Sequence, residues 1–461
     1  MLEIFYKGVS LEYNESGRMP RVSNLRIDNF DTLLSLLKPF PEEWVNKNPK
    51  SYKEEKEQEK QQIDLLPCSS YSELIDAWKE AMRWTDGLDC ALSVMLASIA
   101  STMVVGDQLW VKIISPASSG KTKLCEAISA NQKYVISKST IRGFHSGYKA
   151  DGDDKDADNS LIVEANGKTL VTKDGDTLMT SPNLPQVLSE ARDVYDGASR
   201  THYRNKMSKD YTGLRMTWIL CGTSSLRSID SSELGERFLD CVIMDGVDSE
   251  LEDEVLKIVI QKSVDNFRYH SNDSLSSQQD PATFKTMQLT GGYINYLREN
   301  AQNLFSKIEY DTPTLTKIGR LGKLVSFLRA RPSLRQNETS EREFSARLAS
   351  QLIRLGVCLA MTLNKTKLSD VLPRVKKVAL DTARGRSLEI VELINESGEK
   401  GLSVKAVTTQ IKEKDSTILK LILYMRQIEI LGLYEIEGEG RKLFLDRDFK
   451  DLYFETIGEG A

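Results

Sequence analysis

The spacing of hydrophobic residues changes along this chain and predicts alternating helices and strands. Between residues 71 and 105 the apolar positions recur every three or four residues, which predicts two helices. The short, continuous apolar run at residues 109–114 is typical of a buried strand. Further short runs at residues 134–136, 169–174 and 215–221 predict strands, with helical patterns between them. This alternation predicts an α/β fold with a parallel sheet.

The rest of the chain follows three other patterns. Residues 47–62 are almost purely polar and charged without an apolar stripe, which favours a solvated linker over an exposed helix. Helical periodicity dominates from about residue 250 to residue 363. The last stretch predicts helices near residues 387–395, 403–411 and 415–431, and then a hairpin that turns at Gly438 and Gly440.

Composition and charge exclude several classes of protein. The chain has 461 residues, of which 40% are apolar and 28% charged, as in ordinary globular proteins of two or three domains. No apolar run is long enough to cross a bilayer and the first residues show no signal-peptide pattern, so we expect a cytoplasmic protein without a membrane partner. Six scattered cysteines without a CxxC pair argue against a zinc site. The net charge of −5 argues against a wholly basic surface but permits a local basic channel.

The most informative motif lies between the first predicted strand and a helix. Residues 115–122 read SPASSGKT and match the end of the phosphate-loop consensus GxxxxGK[ST], with Ser115 in place of the first glycine. In such a loop the backbone N–H groups surround phosphates, Lys121 neutralises the β and γ oxygens, and the Thr122 hydroxyl holds Mg²⁺. A plain Gly/Ser turn is the weaker interpretation, because the flanking strand and helix both fit the motif. The expected cofactors are ATP and Mg²⁺, and the residues predicted to bind them are Pro116, Ala117, Ser118, Ser119, Gly120, Lys121, Thr122 and Lys123.

The segments after this loop follow the order found in AAA+ ATPases. The strand ending in Thr-Lys-Asp-Gly-Asp occupies the Walker B position, where most relatives carry a paired Asp-Glu but this chain has Lys173 before Asp174. The resemblance implies that Asp174 either orients the attacking water or serves the metal site together with Thr122, with Asp176 near enough to share the work. The alternative is an aspartate that simply ends a strand in a turn.

Three later positions resemble the other catalytic elements of AAA+ ATPases. Thr223, with Ser224 as second choice, ends the strand that corresponds to sensor 1. Arg237 lies in a segment that resembles the one carrying the arginine finger, which reaches the γ-phosphate held by a neighbouring subunit; the alternative is an ordinary surface arginine. Arg347, with Arg342 as its alternative, opens a helix that resembles sensor 2.

The chain is most similar to minichromosome maintenance helicases and to helicase-like ATPases of phages and other mobile elements. The resemblance rests on TLVTKDGDTLM (residues 169–179), LGERFLDCVI (residues 234–243), the Arg-led helix and the C-terminal helices with their hairpin. It implies an AAA+ P-loop core with a parallel sheet (63–249), a helical lid (250–380) and a C-terminal winged-helix domain (381–461). Residues 1–62, an N-terminal segment with a polar linker, have no counterpart.

This resemblance also implies a function. We expect a ring-forming homo-oligomer, a hexamer, in the cytoplasm of a bacterial host or encoded by a phage, that hydrolyses ATP to translocate on or unwind DNA. The alternative is an AAA+ switch without unwinding activity, such as a helicase loader, an initiator or an anti-phage defence ATPase.

Two regions carry the predicted DNA contacts. Helicases of this type project a hairpin into the ring's pore at the place of residues 196–212, where basic groups grip single-stranded DNA and a tyrosine stacks on a base. The predicted contacts are Arg200, Tyr203, Arg204, Lys206 and Lys209, with Tyr211 as an alternative for stacking. A solvated basic loop is the other interpretation, and residues 143–149 are a second candidate pore loop. The third helix of a winged-helix domain usually enters the major groove of duplex DNA. The C-terminal module of this chain has a nearly balanced charge, so contact with a protein is an equal alternative.

Overall fold

The computed structural model describes residues 63–146, 158–203, 208–228, 237–244, 249–269, 280–330, 344–411 and 413–458, and two short strands near the N-terminus. Those strands, β1 (Phe5–Tyr6) and β2 (Val9–Ser10), pair antiparallel. Residues 1–62 form one compact unit and residues 63–461 form another. The elements described below belong to the second unit.

A five-stranded parallel sheet lies at the centre of this unit. Its strands are β3 (Trp110–Ile114), β4 (Val135–Lys138), β5 (Thr169–Thr172), β8 (Thr217–Gly222) and β9 (Phe238–Val242). They lie side by side in the order β4-β5-β8-β3-β9 and all run in the same direction. The carboxyl ends of the strands therefore meet at one edge. The predicted α/β class with a parallel sheet is confirmed.

Helices cover both faces of the sheet. The longer ones are α1 (Tyr71–Ala81), α2 (Asp86–Ser101), α3 (Lys121–Ser129) and α6 (Leu184–Tyr195), with α4 (Leu161–Ala165) and α5 (Gly175–Met179) as single turns. Successive residues of a strand point to opposite faces, so Val111 and Ile113 enter one apolar cluster with α2 and α3, whereas Trp110 and Ile114 enter another with α6. In the described part of the chain, no helix has both the length and the apolar content needed to cross a membrane.

A hairpin separates α6 from the strand β8. It consists of β6 (Ala198–His202) and β7 (Ser208–Thr212), which pair antiparallel with Arg200 opposite Asp210. It occupies the place of the predicted pore hairpin.

Helices also make up the described chain from residue 249 to residue 383. They are α7 (Ser249–Tyr269), α8 (Pro281–Glu299), α9 (Ala301–Ser306), α10 (Thr312–Arg329), α11 (Ala346–Thr362) and α12 (Leu372–Ala383). Helix α12 covers the outer edge of β9. Asp381 Oδ2 accepts a hydrogen bond from the Val242 N–H at 2.8 Å, and Thr382 Oγ1 accepts one from the Asp240 N–H at 2.9 Å. Side chains of a helix thus satisfy the backbone of an otherwise open edge strand.

The C-terminal stretch contains the predicted helices and hairpin. They are α13 (Arg386–Ser397), α14 (Val404–Gln410), α15 (Asp415–Gln427), β10 (Leu431–Ile436) and β11 (Gly440–Leu445). A further helix, α16 (Arg447–Ile457), follows the hairpin, and its Phe449 packs edge-on against Phe327 of α10. The sequence patterns did not predict α16. The winged-helix assignment of this stretch stays a prediction.

Candidate nucleotide site

The loop of residues 115–120 connects the end of β3 to the start of α3. Its backbone is left-handed at Ser118 (φ 61°) and at Gly120 (φ 93°). A Cβ at Gly120 would lie 2.9 Å from Met82 Cε and 3.2 Å from Leu88 Cδ2. The left-handed backbone angle therefore favours glycine at this position, whereas the two contacts involve the flexible ends of side chains. The Ser115 N–H, where the consensus has its first glycine, donates to the Gly222 carbonyl at 3.2 Å and ties the loop to the end of β8.

The Lys121 side chain is enclosed by this loop. Its Nζ donates to the carbonyl oxygens of Ser115 at 2.5 Å and Pro116 at 2.6 Å, and to Ser119 Oγ at 3.3 Å. Burial lowers the pKa of the Lys121 ammonium, and the neighbouring groups Cys221 and Asp176 only partly oppose this shift. The ammonium is thus held by neutral carbonyl groups next to an aspartate, without a direct ion pair to it in the described structure.

Asp174 has a local role in the chain. It is the N-cap of α5, where its Oδ1 accepts the Thr177 N–H at 3.1 Å and its Oδ2 accepts the Thr177 hydroxyl at 2.5 Å. Its side chain is exposed. Capping of this kind is the usual task of an aspartate before a helix. The catalytic and metal-binding roles predicted for Asp174 remain untested predictions, but its oxygens are directed to its own helix.

Asp176, on the first turn of α5, is hydrogen-bonded to residues at the end of β8. Both of its oxygens lie 3.1 Å from the Thr223 N–H, and Oδ1 accepts the Thr223 hydroxyl at 2.8 Å and the Ser225 hydroxyl. Burial favours a higher pKa for Asp176, but the hydrogen bonds from Ser225 and Thr223, together with the charge of Lys121, lower it overall. Asp176 is therefore an ionised carboxylate at neutral pH.

Gly175 explains why the second aspartate reaches the neighbouring strand. A Cβ at Gly175 would lie 2.8 Å from Leu226 Cδ2 and 2.9 Å from the Cys221 carbonyl oxygen. Without a side chain at this residue, α5 begins directly against the end of β8, and Asp176 on its first turn meets Thr223. Sequence reasoning placed Asp176 second to Asp174; the glycine between them was the signal for a close approach.

The remaining residues of the motif are also at this edge of the sheet. Thr122 and Lys123 are exposed on the first turn of α3, Thr223 is partly buried, and Ser224 is exposed. Among the described residues, no group of three or more His, Cys, Asp or Glu side chains is arranged to hold a metal.

Arg237 lies at the opposite edge of the sheet. It directly precedes β9, whose Phe238 pairs with Trp110, the first residue of β3. The five residues of β3, at roughly 3.3 Å each, place it about 15 Å from the phosphate-loop edge. Arg237 is 5% exposed, and its Nη2 lies 2.8 and 3.1 Å from the two carboxylate oxygens of Asp196. Its guanidinium also lies over the Tyr195 ring, 5.3 Å from the centroid.

This placement does not support the role of arginine finger. A finger has to reach a phosphate on a neighbouring subunit, which requires an exposed guanidinium, and Arg237 is enclosed within its own chain. Arg347 lies on the same side: it is partly buried on α11, close enough that its charge acts on Tyr195, whose pKa burial raises to about 12. Tyr195 packs against Trp110 at the start of β3. The sensor 2 role of Arg347 stays a prediction, and Arg342 lies outside the described residues.

The predicted DNA contacts of the hairpin are engaged within the chain. Arg200 Nε donates to Asp210 Oδ2 at 2.8 Å across the hairpin. Lys209 Nζ lies 2.5 Å from Asp158 Oδ1 and its side chain is only 11% exposed. Tyr211 donates to the other oxygen of Asp158 at 2.5 Å. These pairs leave little positive charge on the described part of the hairpin, so they give no support to phosphate binding there.

Two further predicted contacts lie outside the described residues, and a third is only partly exposed. Arg204 and Lys206 lie outside the described residues, as do residues 147–149 of the second candidate pore loop. The Tyr203 hydroxyl is buried and makes no hydrogen bond within the described chain. The residue as a whole is partly exposed, and its DNA-binding role stays a prediction.

Sequence reasoning missed a buried polar cluster beside this hairpin. His145 Nε2 lies 3.0 Å from Ser199 Oγ of β6, and its Nδ1 lies 3.4 Å from Glu190 Oε2 of α6. The same Glu190 oxygen accepts the Phe144 N–H at 2.6 Å. The cluster fixes residues 143–146 against the hairpin. These residues are far apart in the sequence, so no local pattern predicts their contacts.

Comparisons with known proteins do not assign a family. No protein-family model and no curated protein matches this chain. Among solved structures it is similar to the crystal structure of a "putative ATPase" from Cytophaga hutchinsonii, with 14% identical residues and a TM-score of 0.38. The match covers 76% of this chain and 93% of that chain. A likeness this distant adds nothing to the geometry described above.

Proposed function

We propose that this chain binds ATP with Mg²⁺ and hydrolyses it at the edge where β3, β5 and β8 end. One observation carries the proposal: the phosphate loop encloses the Lys121 ammonium beside an ionised Asp176 that is hydrogen-bonded to Thr223. A cation, the start of a helix and an oriented carboxylate at one edge are the groups that phosphoryl transfer to water requires.

The residues present fit a nucleotide and its metal. Lys121 now donates to backbone carbonyls, and phosphate oxygens are stronger acceptors for an ammonium than these neutral groups. The Thr122 hydroxyl and the Asp176 carboxylate are the oxygen donors that would hold Mg²⁺, which supplies neutralising charge at the β and γ phosphates. Asp176 orients the attacking water, and Thr223 keeps the carboxylate in place.

The finer activity, translocation on DNA or its unwinding by a hexameric ring, rests on the sequence resemblance alone. The described structure favours the second candidate, an ATP-dependent switch without unwinding activity. A motor would direct Lys209 to DNA and Arg237 to a neighbouring subunit, but both side chains are largely enclosed beside a carboxylate of their own chain. Arg200 also has a carboxylate partner, Asp210, but remains exposed. A strand-displacement assay on forked DNA separates the two: a switch hydrolyses ATP and displaces no strand.

The primary test is the Lys121→Ala variant, with Lys133→Ala as the matched control. Lys133 belongs to the same α/β part of the chain, but its side chain is exposed and forms an ion pair with Glu299 at 4.0 Å. It lies beyond the end of α3 and outside the phosphate loop. We expect Lys121→Ala to reduce phosphate release by about 100-fold or more, the usual effect of removing one group that stabilises transition-state charge, and to weaken binding of a fluorescent ATP analogue. Lys133→Ala should stay within about twofold of the unmodified chain, as surface changes usually do. Equal activity of the two variants would refute the site.

A further inference from the structure

Four of the six cysteines lie close together beneath the phosphate loop. Cys221 of β8 and Cys241 of β9 both pair with Ile113 of β3, so they lie at the same level of three adjacent strands and on the same face. Cys125 of α3 contacts Cys221, with the two sulfur atoms 3.2 Å apart. Cys90 of α2 forms the other pair, through a thiol hydrogen bond with Cys241. All four are free thiols.

The pair of Cys125 and Cys221 connects the two halves of the candidate nucleotide site. Cys125 is one turn beyond Lys121 on α3, and Cys221 is two residues before Thr223 at the end of β8. Both side chains are 0% exposed. A covalent bond between them would join the helix that carries the lysine to the strand that holds Asp176.

We propose that Cys125 and Cys221 form a redox modification site, at which a peroxide converts the two thiols to a disulfide and reversibly stops turnover. The predicted loss of turnover rests on the proposed function, whereas the formation of the disulfide does not. The oxidant is a small peroxide, such as hydrogen peroxide, because both sulfur atoms are buried.

The reaction balances with one peroxide. The thiolate of one cysteine attacks a peroxide oxygen, the O–O bond breaks, and a sulfenic acid and water form. The second sulfur then attacks the sulfenic sulfur and expels its oxygen as a second water. Two thiols lose two electrons and two protons, and the peroxide is reduced to two molecules of water. A thiol reductant reverses the change by exchange.

The geometry explains why the bond would affect activity. A disulfide requires a sulfur–sulfur distance of about 2.05 Å, so the two sulfur atoms, now 3.2 Å apart, have to approach by about 1.2 Å. This approach is shared between rotation of the two side chains and a shift of the start of α3 relative to the end of β8. Displacements of about 1 Å in a catalytic arrangement cost about 100-fold in rate.

The same surroundings keep the pair reduced at rest. The hydrogen bond with Cys125 and burial raise the pKa of Cys221 well above its usual value, and the charge of Lys121 opposes this only in part. Since the thiolate is the reactive form, oxidation is slow in the closed chain. It requires an opening of the loop, and a bound nucleotide should therefore protect the pair.

The test treats the full chain with hydrogen peroxide and maps its peptides without reduction. We expect a linked pair of peptides containing Cys125 and Cys221, about 2 mass units lighter than the separate thiol peptides because two hydrogen atoms are lost. Turnover should fall by about tenfold or more and return with dithiothreitol. Saturating ATP should slow the formation of the linked peptides.

Two variants make the test specific. Cys125→Ala should keep its turnover under peroxide, whereas Cys358→Ala, which removes another thiol that is 0% exposed, should lose turnover as the unmodified chain does. If Cys125→Ala does not fold, as judged by circular dichroism, Cys221→Ala replaces it.

Three results would overturn the proposal: no linked peptides under conditions that oxidise the denatured chain, linked peptides without loss of turnover, or equal inactivation of Cys125→Ala. The peptide map reports on the sulfur pair even if the chain does not hydrolyse ATP. Failure of this inference and failure of the proposed function are therefore distinguishable.

Discussion

Replacing each of two neighbouring aspartates by asparagine separates a catalytic carboxylate from a structural one. Asp174 and Asp176 are two residues apart, both follow β5, and both are aspartates, yet their oxygens have different partners. Asp174 caps its own helix through Thr177. Asp176 is bound to Thr223 and Ser225 beside the phosphate loop. The isosteric change to asparagine removes a charge at each position and leaves the volume almost unchanged.

The expected magnitudes follow from these partners. Asparagine is as good an N-cap as aspartate, so Asp174→Asn should change stability by a few tenths of a kcal/mol and turnover by less than about threefold. In Asp176→Asn an amide N–H₂ faces donors from Thr223 and Ser225, so at least one hydrogen bond to a charged acceptor is lost, at about 1.5–3 kcal/mol. Loss of the group that orients and deprotonates water lowers turnover by about 10²–10⁴-fold.

The assay is steady-state phosphate release at saturating ATP, with thermal melting of both variants as the control for folding. We expect Asp176→Asn to melt somewhat lower than the unmodified chain but to remain folded and to bind the fluorescent ATP analogue. Its turnover should fall far more than its stability or its binding of the analogue. If Asp174→Asn is the inactive variant and Asp176→Asn keeps its activity, the carboxylate assigned from the structure is wrong, and the Walker B assignment made from the sequence is right.

Two further predictions concern stability. Lys112 and Asp240 form a buried ion pair at 2.8 Å between β3 and β9. Lys112→Met leaves the Asp240 charge unpaired and should lower the free energy of unfolding by about 3–5 kcal/mol. The double variant Lys112→Met/Asp240→Leu should regain most of this loss. Equal melting of the two variants would contradict this. Burial raises the pKa of Asp158, but hydrogen bonds from Lys209, Ser160 and Tyr211 outweigh it and lower the pKa overall. The stability that Asp158 contributes is therefore present above the unfolded pKa of about 3.9 and is lost as pH falls through the lower folded value. The protection of the β6–β7 amides, measured as their exchange rate relative to the intrinsic rate at the same pH, should fall below about pH 4. In Asp158→Asn it should be reduced already at neutral pH; unchanged protection in the variant would rule out this anchor.

The sequence was sufficient for features that depend on local pattern. Four of the five strands of the sheet, the position of the phosphate loop and the C-terminal helices with their hairpin follow from the spacing of apolar residues and from short motifs. The strand β9 and the helix α16 were not predicted. The glycine at 120 and the lysine at 121 are specified by the conformation and chemistry of one loop, so their places could be predicted without knowing the fold.

Other features required knowledge of which strands are neighbours. Insertion of β8 between β3 and β5 brings Thr223 to Asp176, although 47 residues separate them. The same insertion brings Cys221 to Cys125. Spacing along the chain carries no information about such pairs, because parallel strands are joined by long crossovers whose length does not report their order.

The pairing of charged groups was equally inaccessible from sequence. Arg237, Lys209 and Arg200 look alike as isolated basic residues, and the resemblance implied that they face a phosphate. The folded chain places a carboxylate beside each of them: Asp196, Asp158 and Asp210. Whether a charge is free for a ligand depends on partners that come from distant segments, and these partners are set by packing rather than by local pattern.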